Sequence, residues 1–442
     1  MRFFRNHSEY FVIFLLLAGI LFFSFHYFFN KEKQTYDKKL FDDSIVHEIS
    51  IELTEKDYNT LLATPTDKIR FHADITIDGE KTEDVSLSTH GNATVFTMEA
   101  TGETKFSYKI NFGKYNNTQT YYGLDKMILG NLYKDSSAIK EYLTYYLMRE
   151  NGVEAPLCSY VNLTINNEPV GLYLAIEEID ESFLARYKSP EGTALYKPSA
   201  TGVDHSKRKS LKSELFDGEE LGISQIPDDP DFDFEGADLV YQGDEIEKYP
   251  AIFENQVNKS SPESKERLIE AIKALSQRIE LEKYWNFDSL ANYFAVHNFL
   301  TNFDSYTGPT AHNYYLELKN DKVSMLPWDY DLSILRGTDP GLSIDSPLQG
   351  PGLENRPLWN ALSKNYEFNK KYHESIQRML DEQIYTNELF DRIDRVSEMI
   401  LPYAKDDPNG LFSEDKVLEE TSYIKEFLTE RSDNVQKQLW GI

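Results

Sequence analysis

The chain has 442 residues, and 46 Lys and Arg against 74 Asp and Glu give it a formal charge of −28. With 40% hydrophobic and 14% aromatic residues it can build a sizeable core, which excludes wholesale disorder. The acidic balance excludes a general nucleic-acid binder, whose footprint is a basic face, and favours basic partners or anions reached through a metal. A single cysteine, Cys158, excludes an intramolecular disulfide and all but excludes a cysteine-built zinc site.

After a short flank (1–9), residues 10–29 read YFVIFLLLAGILFFSFHYFF. Such a run matches the hydrocarbon thickness of a bilayer for a helix, and no small-residue cleavage pattern follows it. The expectation is a retained single-pass transmembrane helix rather than a removed signal or a core helix. Arg2 and Arg5 favour an inside N-terminus and an external globular part. Lys31, Lys33, Lys38 and Lys39 on the far flank work against that orientation. Residues 30–44 read as a charged stalk.

Residues 45–198 are expected to form a β-rich lobe. HEISIELT, KIRFHADITIDG and KTEDVSLSTHG alternate apolar and polar residues, with Asp78-Gly79 as a hairpin signal. KFSYKINF puts Phe106, Tyr108, Ile110 and Phe112 on one face and Lys105, Ser107, Lys109 and Asn111 on the other. Asp135 caps a helix with the stripe Ile139, Tyr142, Leu143, Tyr146 and Leu147, and Asn151-Gly152 ends it. SYVNLTIN and PVGLYLAIEE then form two strands around an Asn166-Asn167 turn. The pattern predicts a mainly antiparallel sheet with one packed helix.

Residues 199–236 are a charged insertion, HSKRKSLKS followed by DDPDFDFEG, read as a solvated surface segment or, alternatively, a docking or regulatory one. Residues 237–442 turn helical. Ser261-Pro262 starts one helix, a second covers roughly 287–302, and further helical patterns lie near 364–403 and 413–438. The whole reads as α+β, β-rich early and helical late, with a site between the halves.

The chemistry-bearing stretch is HNFLTNFDSYTGPTAHNYYLELKNDKVSMLPWDYDLS. If Lys319 pairs with Lys322 across the Asn320-Asp321 turn, Asn313 falls opposite Trp328, beside Asp329. Asn313, Asp329 and Asp331 then gather at the open end of one hairpin, where the loop carrying Asp304 enters. Hard oxygen ligands converging on one point suit Mg²⁺ or Mn²⁺, and phosphoryl transfer needs little more than such an ion, a positioned hydroxyl and cationic clamps. The order Asp, Asn, Asp is that of protein kinases, but the spacings (313 − 304 = 9, 329 − 313 = 16) differ from the standard loop, and no Gly-rich phosphate loop is present. A turn or cap for Asp304, a strand end for Asn313 and solvated loop acids for Asp329 and Asp331 are the plain alternatives. His297 and His312 flank the stretch without a nucleophile elbow and read as histidines making ordinary hydrogen bonds.

These residues carry a resemblance. HGNATV, KFSYKINF, GLDKMILGNLYKDSSAIKEYLTYYLM, VGLYLAIEEIDESFL, ALYKP, GADLVYQGD, NFDSYTGPTAHNYYL, PWDYDLS and RPLWNAL occur in the order found in the spore-coat CotH family of atypical protein kinases, which the chain resembles over roughly residues 47–375. The resemblance implies a two-lobed kinase-like fold. It implies transfer of the γ-phosphate of ATP, with Mg²⁺ or Mn²⁺, to Ser or Thr of protein substrates, in spore formers basic Ser-rich coat proteins. By motif position Asp304 is the catalytic acid, Asp329 a metal ligand, Asn313 a second and Asp331 a weaker third. Lys109 or Lys105 would hold the phosphates with Glu177 or Glu178 as partner, and Lys197 is a further cation. A membrane anchor is not required by the family and leaves open which compartment supplies ATP. Two other classes remain: a carbohydrate-active enzyme using paired carboxylates, and a catalytically silent coat or scaffold protein.

Overall fold

The computed structural model describes residues 34–91, 93–199, 237–308, 311–347 and 356–441. The expected transmembrane helix at 10–29 and almost all of the charged insertion lie outside these residues. Among the described residues no helix is long and apolar enough to cross a membrane. The long ones are amphipathic instead: Glu414–Trp440 buries Val417, Ile424, Leu428 and Val435 and gives its other face to charged residues. The single-pass anchor is therefore not part of the described architecture.

Seven strands form the N-terminal half: β1 (His47–Glu52), β2 (Phe71–Ile77), β3 (Glu80–His90), β4 (Ser107–Asn111), β5 (Lys126–Gly130), β6 (Cys158–Ile165) and β7 (Glu168–Glu177). They run β1-β2-β3-β4-β5-β7-β6 and close into a barrel. This corrects the two-lobed kinase-like fold that the resemblance implied; the sheet is mainly antiparallel, as the pattern predicts, but closed. The cause is one pairing that periodicity does not reveal. β1 lies antiparallel to β2 but parallel to β6, with Ile49 against Leu163 and Ile51 against Ile165, so no edge strand remains. The turns behave as their residues demand. Asp78-Gly79 joins β2 to β3, and Asn166 and Asn167 both adopt left-handed φ (50° and 66°) between β6 and β7, as a type I′ hairpin requires. A Glu55–Ala63 helix, capped by Thr54, and an Ala93–Thr101 helix interrupt the strands; the alternating sequence pattern gives no sign of either.

Two cores form, and strand β7 belongs to both. Tyr173 and Ala175 point into the barrel with Ile49, Ile75, Leu87, Tyr108 and Ile110. Leu172, Leu174 and Ile176 point outwards into a larger core with the Lys140–Glu150 helix, the Phe287–Leu300 helix and the C-terminal helices. The Lys140–Glu150 helix starts later than expected, with Ile139 rather than Asp135 at its N-cap, because Asp135 organises a preceding turn in which its carboxylate accepts from the amides of Ser137 (3.0 Å) and Lys140 (2.7 Å); it ends at Asn151-Gly152 as expected. The helical half carries a small sheet, β8 (Ala194–Tyr196), β9 (Tyr314–Lys319) and β10 (Lys322–Pro327), in the order β10-β9-β8. Lys319 does pair with Lys322.

A buried ion pair fastens the helical half to the barrel. Lys105 Nζ meets Asp407 Oδ1 at 3.2 Å with both side chains fully buried, over the rings of Phe412 and Tyr173. Asp407 Oδ2 accepts from the amides of Leu411 and Phe412, and Asn409 donates to the Val170 carbonyl at 2.7 Å. Gly171 (φ 99°) makes room: a Cβ there would lie 2.7 Å from Asp407 Oδ1. Removing one partner leaves the other charge buried and uncompensated, which costs about 3–5 kcal/mol. Asp407→Ala is accordingly expected to lower unfolding free energy by about that amount in urea titration; a change within about 0.5 kcal/mol would show the pair to be incidental.

Candidate active site

Between the barrel and the β8-β9-β10 sheet, a lysine side faces a carboxylate side. Lys109 leaves β4 on the outer face, because its neighbours Tyr108 and Ile110 fill the barrel. Its Nζ meets Glu178 Oε1 at 2.8 Å. Burial pushes the Glu178 carboxyl up, but the lysine charges, Lys109 first and Lys197 with it, outweigh burial and hold it below the ordinary value. Lys197, just past β8, lies over the Trp328 ring at 4.5 Å and the Tyr315 ring at 5.1 Å. Burial lowers Lys197 to about 8 against the opposing pull of Glu178 and Asp329, with Lys109 and Lys68 adding repulsion. His90, at the end of β3, senses the same charges and is driven by burial to about 3, so it is neutral.

Parity along β7 separates the two adjacent glutamates. Glu178 follows the outward set Leu172, Leu174 and Ile176, whereas Glu177 follows Tyr173 and Ala175. Glu177 is held elsewhere: Arg186 meets it at 2.6 and 2.9 Å, Tyr36 donates to it at 2.5 Å, and the Leu157 amide donates at 3.0 Å. Lys105 does not share the Lys109 position either. A turn at Thr104–Phe106 takes it out of the strand and into the Asp407 pair. Of the cations expected from sequence, Lys109 and Lys197 gather around Glu178 and Lys105 does not.

On the facing side, the loop after the Phe287–Leu300 helix carries Asp304, which is 4% exposed. Asn313 Nδ2 donates to both the backbone oxygen and Oδ2 of Asp304, at 3.0 Å each. Asn313 and Asp329 sit at opposite corners of the hairpin mouth, and both hold left-handed φ (57° and 58°). Asn and Asp tolerate that conformation better than most residues, and such strain clusters at functional sites. The loop is pinned by buried Arg356, whose guanidinium donates to the carbonyls of Tyr306 (2.6 Å) and Gly308 (2.8 Å). Gly308 is obligatory, since a Cβ would overlap the Phe303 carbonyl.

Asp331 is held well above the ordinary carboxyl value, first by burial, then by the charges of Asp329 and Glu141, a hydrogen bond with Asp329 and the charge of Asp304. Glu141, in the first turn of the Lys140–Glu150 helix, is raised to about 8 by burial and by Asp329. Tyr145 links the two: its hydroxyl donates to Glu141 at 2.7 Å and accepts from the Asp329 amide at 3.1 Å. Glu141 and His90 fall inside stretches that carry the family resemblance, but an acid in a first helical turn is the ordinary response to the helix dipole, and no spacing connects either of them, or Lys68, to the motif. Four carboxyls thus lie within electrostatic reach of one another, and their oxygens are the donors a hard divalent cation takes. They are not drawn tight. Among the described residues the one trio of carboxyl, imidazole or thiol groups with ligand atoms within 4.8 Å is Asp125, Asp180 and Glu181, on the barrel side.

Comparison with known proteins agrees with the motifs. The family model described as CotH kinase protein matches residues 87–435. The chain is also similar to a protein of Bacillus subtilis (strain 168) named inner spore coat protein H, at 24% identity over 342 residues, covering 76% of this chain and 83% of that one. The match takes in strand β4, the barrel wall, the hairpin and the C-terminal helices together, and the chain belongs to the CotH kinase protein family.

Proposed function

We propose that the chain is an ATP- and divalent-cation-dependent protein kinase that phosphorylates Ser or Thr side chains. The observation that carries this reading is the nearness of Lys197, which shares Glu178 with Lys109, to Asp329, whose charge also acts on Asp331 beside Asp304. A nucleotide's phosphates and their cation carry both signs of charge and need both walls. The reading rests on the site chemistry and the family, not on a kinase-like fold. Hydrolysis of a glycosidic bond would draw on the carboxylates but leave the lysine wall without a task.

In this reading Lys109, steadied by Glu178, and Lys197, seated on Trp328, hold phosphate oxygens. Asp329, Asp331 and the Asn313 carbonyl oxygen hold Mg²⁺ or Mn²⁺. The donor set fits such an ion: carboxyls that burial and neighbouring charges lead to keep protons are relieved when a divalent charge arrives, and binding then releases protons. A bound ion would neutralise charge on the transferring group. Asp304 accepts the proton of the incoming hydroxyl, and Asn313 fixes its carboxylate through the 3.0 Å bond. The strong negative charge of the chain suits basic, Ser-rich protein substrates by electrostatic steering. The name of the Bacillus relative supports association with the spore coat.

Phosphotransfer from labelled ATP to a basic Ser-rich peptide tests the reading. Asp304→Ala is expected to lose activity by on the order of 10²–10⁴-fold with the melting temperature kept. Asp329→Asn is expected to abolish the response to added Mg²⁺ or Mn²⁺. Full turnover in either variant would remove that residue from the catalytic or metal-binding role, and none in the unaltered protein would favour a silent scaffold.

A second expectation concerns pH. Lys197 is depressed to about 8 in the free protein, so its ammonium form, which phosphate favours, is lost as pH rises through that value. Glu141, raised to about 8, gains its negative charge in the same window and acts in the same direction. Binding of metal-free ATP is therefore expected to weaken from pH 7 to pH 9.5, by up to about tenfold per unit above 8 for each proton linked. Fluorescent-ATP titration in EDTA measures it. Lys197→Met should bind more weakly at pH 7 and show a flatter profile; an unchanged profile would remove Lys197 from the phosphate site.

A further inference from the structure

The two segments that carry the carboxylates are joined at their roots by backbone bonds. The Ile334 amide donates to Leu300 at 3.1 Å and the Phe303 amide to Leu332 at 3.4 Å. Beyond these roots the chains diverge, one towards Asp304 and the other back towards Asp329. The imidazole of His297 spans the gap between them. His297, in the last turn of the Phe287–Leu300 helix and 1% exposed, has Nε2 at 2.7 Å from Thr307 Oγ1 and Nδ1 at 2.8 Å from Tyr330 Oη. Thr307 belongs to the loop of Asp304, and Tyr330 lies between Asp329 and Asp331. Tyr330 in turn donates to Tyr293 at 3.2 Å. That direction leaves the Tyr330 oxygen to accept from Nδ1–H, so Nε2 accepts from the Thr307 hydroxyl and both imidazole nitrogens are satisfied. Tyr293 stacks on the imidazole at 5.4 Å and 13°, and Tyr330 meets it edge-on at 5.9 Å, so the ring is held in plane as well as at both ends.

We infer that His297 is a positioning residue that sets the Asp304 loop and the Asp329–Asp331 segment in one register through its two hydroxyl partners. The alternative is a core histidine that merely satisfies its own nitrogens. The two roles differ in their response when one end is cut. A helix residue with two independent hydrogen bonds transmits nothing between its partners. A rigid ring bonded at both nitrogens makes each segment's order depend on the other's, and loss of either bond frees the ring to turn. The inference concerns the arrangement of the site proposed above. Only its kinetic consequence rests on the kinase reading.

Hydrogen–deuterium exchange of the full chain tests the tie without any need for turnover. His297→Phe keeps the ring and removes both bonds. It is expected to raise exchange at least threefold in both 302–308 and 329–333, with the barrel strands unchanged. Thr307→Val and Tyr330→Phe are each expected to raise exchange in both segments as well, and His297→Gln, which retains a donor and an acceptor, to recover part of the protection. Loosening confined to the segment that carries the substitution, or no change in either, would overturn the inference. In the phosphotransfer assay the same variants are expected to lower kcat by tenfold or more, with the binding of metal-free ATP within about threefold, since Lys109 and Lys197 stand apart from the tie. Inactivity of the unaltered protein would remove the kinase reading and leave the exchange result to decide the role of His297. Should His297→Phe fail to fold, Thr307→Val and Tyr330→Phe decide it by the same two-segment criterion.

Discussion

The arrangement depends on a sheet wall that is buried on both faces. In β7, Tyr173 and Ala175 fill the barrel while Leu172, Leu174 and Ile176 anchor the helical half. A strand has only two faces, so every residue at its end inherits one of these two environments. Glu178 inherits the outer one and meets Lys109, which leaves the neighbouring wall on the same outer side. Glu177, one residue earlier, is committed to Arg186 and Tyr36. The cationic half of the cleft is thus a consequence of core packing.

The acidic half is built on a different principle. Its residues come from loops and turn positions where the backbone is held in left-handed conformations, at Thr301, Asn313, Asp329 and Ile334. For β-branched Thr301 and Ile334 these are costly, and they persist because Arg356, the backbone bonds at 300–334 and the aromatic packing around His297 over-determine them. Burial of the carboxyls, and then their mutual repulsion, is a second cost, visible in the raised Asp331 and Glu141. A site whose groups repel one another in this way gains most from a cation that neutralises them.

The lysine-to-carboxylate facing also gives the buried Lys105–Asp407 pair its place in the whole. Strand alternation puts Lys105 on the same face as Lys109, and on that ground either lysine could serve the phosphates. Alternation holds only within the strand, and β4 begins at Ser107. Two residues outside it, the chain has already turned, and the lysine fastens the C-terminal half to the barrel instead.

Local sequence signals were sufficient wherever a few neighbouring residues decide the outcome. They determined the hairpin register from Lys319 and Lys322, the turn at Asn166-Asn167, the helix start at Ser261, and the gathering of Asn313 and Asp329 at one hairpin mouth. They also carried the family, because the motif residues are contiguous along the chain. Closure of the barrel by parallel pairing of β1 with β6, the choice of Glu178 over Glu177, the diversion of Lys105 and the entry of Glu141, Lys68 and His90 into the cleft were decided by tertiary structure alone. Each of these joins residues far apart in sequence, and the energy that selects them is burial and charge pairing summed over many partners, which no local window contains.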